Sequence, residues 1–372
     1  MKKIIVALLC ISMLLMLGAC GGSGKTPAES GEKTATVNTT TTTAETTTSG
    51  EEAKPDLGDT LVLYSSMTEN DLNNLIKGFN ELYPEINIEV VNGSAGELTA
   101  RIAAEAGNPQ GDVMWGGLNT GDGDVHSALF EHWLSDYESD LPDEYKSPNG
   151  FYNMDHLSTI VFCVNTDLEK ELGLNITGYE DLLDPKLKGK IVFSDPNSSS
   201  AAWNNLSNIL TVFGKDTEKP WEYVEKLMKN GLVISTSSSV CFKAVADGEY
   251  VVGLTYEDGA STLLKSGATN VKMVYPKEGA SAFAFGCAVI KGAPHMEAAK
   301  AMVNYLMSPE GQSYLGNALG TLRFTNPKAT YESPYLPADS EINWVVRDNK
   351  WLSENKDSIL KRWNELYTSI NG

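Results

Sequence analysis

A rhythm constrains this chain more than any single motif: short β-rich runs alternate with segments of helical period from residue 59 onward. Thr60-Leu61-Val62-Leu63-Tyr64 is such a run. It breaks at Ser65-Ser66-Met67-Thr68, after which Leu72, Leu75, Ile76, Phe79 and Leu82 fall at helical spacing, with Pro84 just beyond the end. Ile86 to Val91 reads as the next strand. Asn92-Gly93-Ser94 turns the chain, and Ser94 and Glu97 have the spacing of a capping box at a helix start. Asp112-Val113-Met114-Trp115 is a third strand, ending in Gly116-Gly117. This order predicts a parallel sheet with right-handed crossovers.

The rhythm repeats. Ile160 to Val164 is an apolar strand, and Lys190-Ile191-Val192-Phe193 leads into Ser194-Asp195-Pro196-Asn197-Ser198-Ser199-Ser200. A helix follows, carrying Leu206, Ile209, Leu210 and Phe213 and stopped at Gly214. Leu232-Val233-Ile234 leads into Ser235 to Ser239 and a short helix, and Val251 to Leu254 leads into Tyr256-Glu257-Asp258. The expected fold is α/β with two lobes. The apolar run Phe283 to Ile290 would return the chain from one lobe to the other. Ile359, Leu360, Trp363, Leu366, Tyr367 and Ile370 predict a C-terminal helix. At 372 residues the chain is long enough for two such units.

The N-terminus reads as an export signal. Lys2 and Lys3 precede an apolar stretch from Ile4 to Leu17, too short for a comfortable membrane span. Leu17-Gly18-Ala19-Cys20 resembles the lipobox of bacterial lipoproteins, which would make Cys20 the lipidated first residue of the mature protein. Ala19 to Thr26 also mimics a phosphate-binding Walker loop, but that loop needs a strand before it and a helix after it, and here neither is expected. Residues 21–58 read as a tether: threonine fills ten of the fifteen positions from Thr34 to Thr48, without apolar periodicity. Its length suits a Gram-positive surface, where a wall must be crossed.

Charge and cysteine content exclude other classes. With 49 acidic against 29 basic residues, a net charge of −20, a nucleic-acid surface or a basic membrane patch is not expected. Five cysteines are too few for a disulfide scaffold, and Cys163, Cys241 and Cys287 stand in apolar contexts as buried free thiols.

From about residue 59 to 372 the chain resembles the extracellular solute-binding proteins of bacterial ABC importers, in the branch that binds ferric ion, phosphonates and sugar phosphates. The residues carrying the resemblance are Leu63-Tyr64-Ser65-Ser66, Gly111 to Gly117, Leu187-Lys188-Gly189-Lys190-Ile191 with Asp195-Pro196, Gly248 with Gly253-Leu254-Thr255-Tyr256, and Ser308-Pro309-Glu310-Gly311-Gln312. The resemblance implies a two-lobed periplasmic-binding-protein-like fold with hinge strands and a central ligand cleft. Lobe 1 would comprise residues 59–160 and about 276–308, and lobe 2 about 161–275 and 309–372. It also implies a monomer without cofactor, a small solute, an ABC permease as partner, and membrane contact through the lipid anchor only, on the outer face of the cytoplasmic membrane.

Ligands of open α/β sheets bind beyond the carboxyl ends of the strands. The candidates there are Ser65, Ser66, Ser94, Trp115, Gly116, Asp195, Asn197, Ser198, Ser199, Ser237, Ser238, Tyr256, Glu257 and Asp258. Hydroxyls ahead of helix N-termini suit a phosphate, phosphonate or carboxylate handle. Taken singly, each serine is equally at home as a cap or turn residue. Asp195, Glu257 and Asp258 would accept from sugar hydroxyls or an ammonium group, and Trp115, Trp203 or Tyr256 could stack on an apolar ligand face, with Trp203 better placed in helix core.

Two alternatives stand beside this reading. Ferric-binding relatives typically place a tyrosine pair where this chain has Ser198 to Trp203, and His126, His132, His156 and His295 show no metal-ligand spacing; each reads as a surface or satisfied core residue. A secreted cleft enzyme such as a glycosidase would use loose carboxylates, but no catalytic motif stands in a strand-helix context.

Overall fold

The computed structural model describes residues 56–119 and 125–372. The signal peptide, Cys20 and nearly all of the tether lie outside the described residues.

Lobe 1 begins with β1 (Thr60–Ser65), α1 (Glu69–Leu82), β2 (Asn87–Asn92), α2 (Ala95–Ala104) and β3 (Val113–Asn119). β1 pairs in parallel with both β2 and β3. Strand alternation sorts its side chains. Leu61 and Leu63 join Leu72, Leu75 and Phe79 of α1 in one apolar layer, while Tyr64 turns to Leu98 and Ile102 of α2 in the other. Both helix starts are capped reciprocally, Thr68 with Asp71 and Ser94 with Glu97. β3 does not end at the glycine pair. Gly116 and Gly117 take φ of 84° and 78°, values open to glycine, and the strand continues through a bulge between Trp115 and Leu118.

β4 (Asn153–Asn165) is the spine of the molecule. Its first half pairs with β9 (Ala282–Val289), up to Thr159, and its second half with β7 (Val252–Tyr256) from Ile160 onward. Lobe 2 follows with α3 (Thr166–Glu171), β5 (Ile191–Ser194), α4 (Ser200–Phe213), α5 (Lys219–Lys229), β6 (Val233–Ser235), α6 (Val240–Ala246), β7 (Val252–Tyr256), α7 (Glu257–Lys265) and β8 (Val271–Val274). Phe162 and Val164 of β4 face the α4 and α5 layer; Val161 and Cys163 face α6. The chain then returns through β9 (Ala282–Val289), α8 (Met296–Met307), α9 (Pro309–Leu319), β10 (Arg323–Phe324) and α10 (Asn349–Asn371). Among the described residues the main path of the sheet runs β2-β1-β3-β9-β4-β7-β5-β6, with β8 and β10 also on β4.

One boundary is corrected. Residues 309–324 were expected in lobe 2, yet Leu315, Leu319, Leu322 and Phe324 pack with α1 and α8. Ser308 ends α8 and caps α9 directly, accepting from Gly311 N–H at 2.9 Å, so α9 starts where α8 stops, and both helices pack in the lobe 1 core. Only α10 reaches the lobe 2 core, through Leu352, Ile359 and Trp363.

Candidate functional site

A cavity of about 300 Å³ opens between the lobes. Ser66, Met67 and Thr68 enter it from the end of β1, and Ala95 from the start of α2. Gly117 comes from the β3 bulge, His156 and Ser158 from β4, and Phe285 from β9. Lobe 2 supplies Ser200, Ala201 and Asn204 of α4, Ser238, Tyr256 and Asp258. The first-turn N–H groups of α2 and α4 have no intrahelical acceptor and carry the positive end of each helix dipole. Asn204 is only 7% exposed, and its amide has no hydrogen-bond partner among the described residues. The lining contains no lysine or arginine among the described residues.

Two carboxylates line the cavity, one from each lobe. Asp71 accepts from both N–H and O–H of Thr68 at 3.1 and 2.7 Å, and burial raises its pKa. Asp258 accepts from the Ser158 hydroxyl at 3.2 Å, and burial pushes its carboxyl up to about 7 against the attraction of His156. Tyr256 is likewise pushed up by burial. In their ionised forms the two carboxylates accept hydrogen bonds, whereas the helix starts donate them.

Residues 74–342 match a family model described as bacterial extracellular solute-binding protein. The chain belongs to that family. It is the solute-binding component of an ABC importer, and its relatives are binding proteins of transporters, periplasmic or extracellular, rather than enzymes. The structure of the periplasmic binding protein AfuA from Actinobacillus pleuropneumoniae, with exogenous fructose-6-phosphate bound, matches with a TM-score of 0.71 at 26% identity, covering 84% of this chain and 99% of that one. A Salmonella typhi periplasmic protein provisionally named for 2-aminoethylphosphonate binding is 27% identical over 293 residues, 76% of this chain and 84% of the relative. Iron uptake protein A1 of Synechocystis is 26% identical over 280 residues, 68% of this chain and 72% of the relative.

Of the residues expected at the site of this binding protein, Ser66, Ser238, Tyr256 and Asp258 line the cavity. The others do not. Ser65 is fully buried; it donates to the Trp115 carbonyl at 2.9 Å and accepts from Met67 N–H, stitching β1 to β3. Trp115 is core, its indole N–H donated to Asp155 at 2.9 Å. A side chain at Gly116 would strike Met67 and Ser66, so this glycine makes room for the β1 loop rather than for ligand. Ser94 and Ser199 cap α2 and α4.

Asp195 closes its own turn by accepting from Asn197 N–H at 2.9 Å, and Asn197 reaches away to Asn364 of α10. The Ser198 N–H closes the same turn on the Asp195 carbonyl, and Ser237 pairs with Ser239 on the exposed side. Glu257 is 1% exposed and faces inward, holding Arg323 Nε at 3.0 Å from both carboxylate oxygens and accepting from Tyr275. Burial raises its pKa against the pull of Arg323.

Sequence reasoning missed Met67, Thr68, Asp71, Ala95, His156, Ser158, Ala201, Asn204 and Phe285. Thr68 and Asp71 carried a legible signal, since their spacing is that of a capping box. His156 is buried, as a satisfied core histidine would be, but it lines the cleft. Cys163, Cys241 and Cys287 are buried free thiols.

Proposed function

We propose that this binding protein captures a small solute carrying a phosphate or phosphonate group and presents it to its permease. The observation that supports the reading is the set of donors that line the cavity: the first N–H groups of α2 and α4 that the Ser94 and Ser199 caps leave over, the hydroxyls of Ser66 and Ser200, and the Asn204 amide. Helix starts bind anions without lysine or arginine. The carboxylates of Asp71 and Asp258, which line the same cavity, would accept from the other end of the solute. The known ligand of AfuA and the name of the Salmonella relative agree with a phosphorus oxyanion. Cys20 would be the lipid anchor and residues 21–58 the reach from a Gram-positive membrane. Closure of the lobes about β4 and β9 would seal the solute between them.

A thermal-shift screen tests this. A phosphate ester at 100 times its Kd stabilises by about 2.7 kcal/mol. Phosphorylated and phosphonate solutes are expected to raise the Tm, and their dephosphorylated analogues and ferric ion to leave it unchanged. Stabilisation by ferric ion with silent phosphate esters would reverse the reading.

A further inference from the structure

One buried side chain on the cleft wall has an unused end. His156 stands on β4, and only 5% of its surface is exposed. Its Nδ1 lies 2.9 Å from Oδ2 of Asp155, a fully buried residue that takes the Trp115 indole N–H on the same oxygen. A carboxylate oxygen accepts, so Nδ1 carries the hydrogen. The ring stacks on Phe285 with 5.9 Å between centroids. These contacts hold the ring plane and turn Nε2 away from Asp155, in a residue that lines the cavity. Nε2 has no hydrogen-bond partner among the described residues. The charged groups that act on the ring are Asp155 beside it on β4, Asp258 of α7 and Asp71 of α1, with Lys265 of α7 acting on Asp71. Asn204 of α4, Ser158 and Met67 line the same cavity.

We propose that His156 contacts the solute, positioned by Asp155, and that its Nε2 with the carboxylates of Asp258 and Asp71 selects a solute whose end distal to the phosphorus group bears hydroxyls rather than an ammonium. The inference rests on the phosphorus-oxyanion reading. Its logic is donor count. Burial opposes the imidazolium, but Asp155, Asp258 and Asp71 raise the pKa of His156 and so favour the form in which Nε2–H donates. Asp71 and the ionised form of Asp258 accept. A hydroxyl can accept from Nε2–H and donate to a carboxylate at once. An ammonium donates only, and would meet a like charge unless His156 gave up its proton. A hydroxyl end therefore binds without proton release. An ammonium end binds with it, and more weakly as pH falls.

Calorimetry on the purified full chain, His156→Gln and His156→Ala would use fructose 6-phosphate, 2-aminoethylphosphonate and free fructose as probes, at pH 6 and pH 8. Fructose 6-phosphate is expected to bind more tightly than 2-aminoethylphosphonate. His156→Ala should weaken it about tenfold or more, with His156→Gln, which keeps an N–H donor, in between. The imidazole 15N resonances of wild-type protein should move on saturation, a readout that does not depend on either variant folding. Equal affinity in wild type and His156→Ala, unmoved resonances at saturation, or preference for 2-aminoethylphosphonate would each overturn the inference. If both phosphorus compounds are silent, the oxyanion reading falls, and free fructose decides the role of His156. Binding lost in His156→Ala would support that role; binding unchanged, or no binding, would overturn it.

Discussion

Replacing Glu257 with alanine is expected to destabilise the whole fold rather than to loosen the solute alone. The Glu257 side chain is 2% exposed and that of Arg323 10%. Arg323 Nε lies 3.0 Å from both carboxylate oxygens, Tyr275 donates to Oε1, and the rest of the guanidinium is held by Asp339 and the Pro337 carbonyl. The network joins α7 of lobe 2 to β10 of lobe 1. Without Glu257, the sole remaining carboxylate on Arg323 among the described residues is Asp339, whose side chain is 76% exposed and in high dielectric. Removing one partner of a buried pair costs about 3–5 kcal/mol, a large part of a typical 5–15 kcal/mol total. Urea unfolding of Glu257→Ala should show a loss of that size. The double variant Glu257→Leu with Arg323→Met should recover most of it, because it removes both charges. Glu257→Gln should fall between, since its amide oxygen still accepts from Arg323 or Tyr275. A loss within about 1 kcal/mol of wild type, or a double variant no better than the single, would refute the argument.

Two further outcomes are expected. Burial pushes the Asp258 carboxyl up from an ordinary 3.8 to about 7, so its contribution to the stability of the empty protein is full below 3.8 and lost as pH rises through about 7. His156, also raised, acts in the same direction. Thermal melts at pH 5 and pH 8 should therefore show a larger fall for wild type than for Asp258→Asn, and equal falls would contradict this. Gly117→Ala would place a methyl 2.4 Å from the Ala95 Cβ at a φ of 78°, displacing the start of α2. It should cost about 1 kcal/mol or more and weaken solute binding, as urea melts and calorimetry would show; wild-type values for both would count against it.

The order and type of the elements were legible in the sequence, because period and caps are local. The run Thr60 to Tyr64 becomes β1, the Leu72 to Leu82 pattern becomes α1, and Ser94 caps with Glu97 as its spacing indicates. The apolar surroundings of Cys163, Cys241 and Cys287 likewise announced burial. Which residue at a strand end faces solute was decided by the tertiary structure. Glu257 and Asp258 are neighbours at the first turn of α7, and a helix turns about 100° between them, so one meets Arg323 and the other the cleft. Choosing between them required knowing where Arg323 lies, 66 residues away. Trp115 had the look of a stacking platform until Asp155, 40 residues on, claimed its indole N–H. His156 had no local mark at all. It became a cleft residue only because β4 runs unbroken from one lobe into the other and turns one of its faces to the space between them, a consequence of strand pairing across the whole sheet.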